Sequence, residues 1–177
     1  VPESAVPVDL PIEKRLAAAV ELYGEAVVVR RCISLLAGNN EGEDFLLFVG
    51  GEHAQGILDG APVLYWPELW GTRALLYVWD DTALEAVTAA MANQAWRVRE
   101  MGARVAATRA LPLSAAVAGL LIDEVARVRA SAARALGDIG SRDDIDGIRP
   151  LLKDPDIDVR RAAQQGIDAL RKRLPAE

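Results

Sequence analysis

Asn93-x4-Val98-Arg99, Asp123-x4-Val128-Arg129 and Asp154-x4-Val159-Arg160 are three copies of one phrase. Their valines stand 30 and then 31 residues apart. Self-similarity at such a period predicts stacked helix pairs, because a single pair cannot bury its apolar side alone. Aligned on the valine, the copies stay in register. Val87, Val117 and Ile148 lie eleven residues before it, Ala90, Leu120 and Leu151 eight before, and Met91, Leu121 and Leu152 seven before. These offsets share one face of a helix of period 3.6, helix A. Gly102, Ala132 and Ala163 lie four residues after the valine, and Ala106, Leu136 and Ile167 eight after. They form the buried stripe of a second helix, helix B.

The turns agree with this reading. Asp154-Pro155-Asp156 separates two helices, since proline cannot continue a helix but suits the first turn of one. Glu124 and Asp158 place negative charge near the start of helix B, where the helix dipole favours it. Gly137-Asp138-Ile139-Gly140-Ser141 supplies a stop and a new cap. Pro150 lies inside the last helix A and is expected to kink it. Alanine dominates helix B (Ala130, Ala132, Ala133 and Ala135 in one copy), which lets neighbouring helices approach closely. Trp96 is placed in the turn between A and B, where its equivalents are Ala126 and Ile157.

This pattern resembles the HEAT family of tandem helical repeats over about residues 70–174. The resemblance implies an all-α fold, a right-handed α-α superhelix. It also implies a hydrogen-bonded ladder between repeats, built from Asn93, Asp123 and Asp154 with Arg99, Arg129 and Arg160. The domain reading is an atypical N-terminal helical cap over 1–60, a degenerate half-repeat over 61–81, and three repeats over 82–111, 112–141 and 142–174. In the half-repeat, Pro67-Glu68 replaces the Val-Arg pair, and Ala74, Leu75 and Val78 align with Ala135, Leu136 and Ile139. Asp80-Asp81-Thr82 then caps the first full repeat.

The 177 residues fit one domain or a short array. Hydrophobic content is 51% but aromatics only 5%, a profile for closely packed helices. Alternation of β-branched residues is nearly absent. Net charge is −6, unevenly spread: residues 1–90 hold 14 acidic and 5 basic side chains, and residues 91–177 hold 12 and 15. The acidic total argues against a general nucleic-acid binder. Cys32 is alone, so no disulfide forms within the chain. No signal peptide or membrane-spanning run is read, and the expected location is cytoplasmic. Val1 is not Met, so a leader ahead of it stays open.

The first ten residues read as an extended arm, because two prolines disfavour helix. Pro11 opens a helix carrying Leu16, Ala19, Val20 and Tyr23. Gly24 interrupts, and a second helix runs to about Ala37, although its Val27-Val28-Val29 run also suits a buried strand. Gly38 to Gly42 is a loop. Asp44 is expected to cap a short helix ended by Gly50-Gly51, and Glu52 to Asp59 forms another.

All four tryptophans (Trp66, Trp70, Trp79 and Trp96) lie within 31 residues of sequence, with Tyr65 and Tyr77 beside them. They serve either as core between cap and repeats or as a binding hot spot. The candidate binding residues are Trp96, Arg97, Arg104, Arg127, Arg134, Arg161, Trp70 and Trp79. His53 is the single histidine, with Glu52, Glu43, Asp44 and Asp59 as the carboxylates in sequence range; a metal site needs about three or four ligands, and no metal or cofactor is expected. Asp143-Asp144-Asp146 lacks calcium-loop spacing and reads as a charged helix start. No nucleophile–histidine–acid order or phosphate loop appears. The expected role is therefore a non-enzymatic scaffold that binds another protein or peptide on the helix-B face. One alternative is a HEAT-like nucleic-acid-binding protein or a DNA glycosylase for alkylated bases; such glycosylases resemble this fold class, and Trp79-Asp80-Asp81 and Trp96 imitate their base-access point. Another is a bilin lyase, which also uses short HEAT-like repeats. Oligomeric state is open.

Overall fold

A computed structural model describes residues 5–175. Among them are eleven α-helices, three 3-10 turns and no strand. The chain divides into two compact units, one through Ala86 and one from Val87.

The first unit holds α1 (Ile12–Tyr23), α2 (Glu25–Leu36), α3 (Glu43–Gly50), α4 (Glu52–Leu58) and α5 (Trp66–Ala74). Of the expected N-terminal arm, Val1 to Ser4 lie outside the described residues, while Ala5 to Leu10 form turns rather than an extended run. The valine run is helical. Val28, Val29, Cys32 and Leu35 are all buried, a spacing of one, three and three that only a helix places on one side. Gly24, at φ +84°, separates α1 from α2. Gly42, not Asp44, precedes α3 as its cap; Asp44 lies in the first turn, where its charge meets the helix dipole. Helix α5 packs on α2 and α3. A Cβ on Gly71 would meet the Cys32 carbonyl oxygen at 2.9 Å, so glycine is what allows α5 to lie this close to α2.

The second unit begins within α6 (Leu84–Ala90) and continues with α7 (Trp96–Thr108), α8 (Ser114–Gly119), α9 (Ala126–Ile139), α10 (Asp144–Ile148) and α11 (Ile157–Arg173). Helices α7, α9 and α11 are the three copies of helix B, packed in sequence, α7 on α9 and α9 on α11. The stripe positions of helices A and B aligned on the valine are all buried except Leu152, which is half-buried. Helix A is shorter than its periodicity predicts. Its last turn tightens to 3-10 at Leu120–Ile122 and at Arg149–Lys153. At Pro150 the missing N–H is thus met by a change of helix type. Each 3-10 turn ends at an aspartate in extended conformation, Asp123 with ψ 145° and Asp154 with ψ 144°. Trp96 is the first residue of α7 rather than a turn residue.

Candidate interaction surface

The three turns between A and B are wired to one another. Asn93, Asp123 and Asp154 each accept the backbone N–H two residues on through Oδ1, at 2.8, 2.9 and 2.9 Å. Arg99 donates from Nε and Nη2 to the two carboxylate oxygens of Asp123, at 2.7 and 3.0 Å. Its Nη1 reaches back to the carbonyls of Asn93 and Gln94. Arg129 repeats the pattern one unit later, gripping Asp154 at 2.9 and 3.0 Å and the carbonyls of Asp123 and Glu124. Among the described residues Arg160 keeps only the backward half, to the carbonyls of Asp154 and Pro155. A guanidinium fork is suited to this double task because its two edges bond independently.

Both aspartates are nearly enclosed, with side chains 8% and 6% exposed. Burial alone raises the Asp123 carboxyl, but the bonds from Arg99 and the Val125 N–H outweigh it and hold it below the usual carboxylate range. The Arg129 bond holds Asp154 low as well, against the opposing effect of burial.

The solvent side of α7, α9 and α11 carries most of the predicted binding residues. The Arg104 and Arg134 side chains occupy equivalent positions one repeat apart, and both are exposed. They line a groove of about 280 Å³ with Glu100, Thr108, Ser131 and Asp138. An adjoining groove of about 380 Å³ shares Glu100 and Arg134 and adds Arg127, Asp156 and Asp158. Small residues, Ala107, Ala130 and Ala135 among them, line the two grooves, which leaves the charged side chains standing at the edges. Arg127 pairs with Glu100 at 3.2 Å while staying 69% exposed. Among the described residues Arg134 donates only to the neutral Gln165, at 3.1 Å. Arg104 has no hydrogen bond or ion pair with any described residue. Arg161 pairs loosely with Asp158 at 3.6 Å on its own helix, both exposed, which contributes little.

Trp96 is half-buried, with the Arg97 and Arg127 guanidinium carbons 4.4 and 5.2 Å from its ring centre. Such cation–π contacts stabilise the ring where it is. Trp70 needs correcting as a binding candidate: it is 3% exposed. Its ring lies where a Cβ on Gly50 would be, at 2.6 Å, and it stacks on Trp66 with ring centres 6.1 Å apart. It is core of the first unit. Trp79 is half-buried there too, its indole N–H directed at Asp81 Oδ1 at 3.4 Å. His53 is exposed. Among the described residues no group of three histidine, cysteine or acidic side chains is arranged to hold a metal ion. Among the described residues no helix is long and apolar enough to cross a membrane.

Sequence reasoning missed a pair of arginines in the first unit. Arg15 is 7% exposed and donates from Nε to the Phe48 carbonyl at 2.9 Å; Arg73 donates to the Val49 carbonyl at 3.1 Å. Together they satisfy the unpaired carbonyls at the end of α3, where the helix dipole favours cations. Burial lowers both guanidinium pKa values, and Arg15 lowers that of Arg73 further. The signal was present only as Lys14-Arg15 on a helix whose other face is apolar.

Paired helices in register, joined by an aspartate–arginine ladder, define an α-solenoid over the second unit. Residues 84–170 match the family model described as HEAT repeats, and over that stretch the chain belongs to the HEAT-repeat family. HEAT repeats are commonly protein-interaction scaffolds and generally non-catalytic. No curated protein matches the chain significantly.

Proposed function

We propose that the chain is a non-catalytic adaptor whose helix-B face, over residues 96–168, docks a carboxylate-bearing segment of another protein. The observation that carries this reading is the Arg104–Arg134 row. Two exposed guanidiniums stand one repeat apart beside a groove lined by small side chains, without a carboxylate partner among the described residues. Arginine in such a place is suited to bidentate capture of a partner's aspartate or glutamate. The ladder arginines are already engaged within the chain and contribute shape rather than contact. A nucleic acid is disfavoured on the same surface, because Glu100, Asp138, Asp156 and Asp158 line the same grooves and would face phosphates. The DNA-glycosylase and bilin-lyase alternatives find no observation in their favour.

The test is affinity purification with quantitative mass spectrometry, comparing the unaltered chain with Arg104→Glu/Arg134→Glu. Both side chains are exposed, so the helical circular dichroism should persist. Loss of a partner that the unaltered chain retains is the expected result. Equal recovery of every partner would overturn the assignment of this face.

A further inference from the structure

A second surface, on the first unit, has different chemistry and does not depend on the reading above. Leu35, Leu46, Ile57, Leu58, Val63 and Leu64 line an open groove of about 340 Å³ among α2, α3, α4 and α5. That volume lies at the low end of roughly 300–1,000 Å³, the usual range for ligand pockets. Its charged lining is all of one sign: Glu41, Glu43 and Glu68, with no lysine or arginine. Glu41 is held by Arg31 at 3.2 Å. Glu43 has no partner among the described residues. The unit as a whole is acidic, with 14 carboxylates against 5 cations up to Ala86.

The groove's lip is held in an unfavourable conformation. Val63 and Leu64 are 51% and 69% exposed, two adjacent apolar side chains in water. Leu64 has φ +46° at the first central position of a turn closed by the Trp66 N–H on the Val63 carbonyl at 3.2 Å. Glycine suits that conformation and a γ-branched side chain does not. Folding alone gives no reason for a leucine there, since it neither fills the core nor relaxes the turn. Strain kept at an exposed apolar lip is the pattern of a binding edge.

We infer that this groove docks a short basic, amphipathic segment of a partner protein, one or two bulky apolar side chains entering between Leu46, Ile57, Leu58 and Leu64 while flanking lysines or arginines meet Glu43 and Glu68. The apolar lining supplies affinity and the acidic rim selects the sign of the partner.

The experiment titrates the full chain, with labelled Leu, Ile and Val methyls, against a fluorescent amphipathic lysine–leucine peptide. Two control peptides replace leucine by serine or lysine by glutamate. Saturable methyl shifts confined to Leu35, Leu46, Ile57, Leu58, Val63 and Leu64 are expected. Binding should be at least about tenfold weaker for either control. Leu64→Gly is the informative variant: it relieves the left-handed turn, so thermal stability should hold or rise while affinity falls at least about tenfold. Glu43→Gln should weaken binding and flatten its salt dependence, whereas Glu21→Gln, away from the groove lining, should not. Three results would overturn the inference: shifts spread over other methyls, undiminished binding by Leu64→Gly, or the same methyls shifting with protein concentration alone. The last would make a second copy of the chain the occupant.

Discussion

Gly166 of α11 lies against the carbonyl of Ala133 in α9. A Cβ built on Gly166 would stand 2.3 Å from that oxygen and 3.1 Å from its carbon. The obstruction is backbone, which cannot swing aside as a side chain can. Gly166→Ala should therefore destabilise the protein by about 1–3 kcal/mol through overpacking, although alanine is the better helix former by about 1 kcal/mol. Gly119, at the end of α8, is the control. Apart from its chain neighbours and its own helix backbone, no described heavy atom lies within 4 Å of a Cβ placed there, so Gly119→Ala should stabilise by roughly 0.5 kcal/mol. Urea denaturation of both variants checks the opposed signs.

The ladder predicts a gradient along the array. Arg129 holds a carboxylate on one edge and two carbonyls through Nη1, while among the described residues Arg160 makes only the carbonyl bonds. Arg129→Ala should cost about 2–4 kcal/mol, because it strands a largely buried aspartate, and Arg160→Ala about 1 kcal/mol. Equal losses in chemical denaturation would deny the rungs their coupling role.

Asp154 adds a pH signature. Its folded pKa is depressed, so its contribution is complete above the unfolded carboxylate value of about 3.9. It is lost as pH falls through the lower folded value. Asp154→Asn should be less stable than the unaltered protein at pH 7, with the gap closing below about pH 4. A gap independent of pH would mean that the charge on Asp154 is not what stabilises the turn.

Much of the second unit was legible because its information is periodic. Val98, Val128 and Val159 fixed the phase, and every burial assignment downstream was a matter of counting. The short helix A was not legible, because choosing 3-10 over α depends on how Leu120 and Leu151 seat against neighbouring helices. The first unit has no repeat to average over. Its helices were recognisable from Pro11, Gly24 and Gly51, but the burial of Trp70 depends on the space left by Gly50, twenty residues away. Arg15 and Arg73 find their carbonyl partners only after α3 is in place. Nothing in the spacing of Leu46, Leu58 and Leu64 separates groove lining from core.

Helix α7 ends where glycine is the better residue. Ala110 has φ +51°, its N–H bonds the Ala107 carbonyl, and the Leu111 N–H bonds the Ala106 carbonyl. Gly38 and Gly60 occupy the same position after α2 and α4, also with positive φ. Ala110→Gly should raise stability by about 1 kcal/mol, seen as a later midpoint with unchanged urea dependence. A loss would show that the left-handed turn carries no strain.

Cys32 should be chemically silent in the native protein. It is fully buried, and burial pushes its thiol up to about 12, with Arg31 opposing and Glu41 adding. Thiol labelling at pH 8 should run at least about 100-fold slower than in denaturant. Comparable rates would place Cys32 at the surface.

Arg104 and Arg134 are the proposed contacts of the helix-B face. Arginine-directed phenylglyoxal footprinting, read by peptide mass spectrometry with and without the captured partner, addresses that assignment directly. Arg104 and Arg134 should be protected in the complex, while Arg149, 60% exposed on the last helix A, stays reactive. Protection of Arg149 with Arg104 and Arg134 still modified would contradict the account.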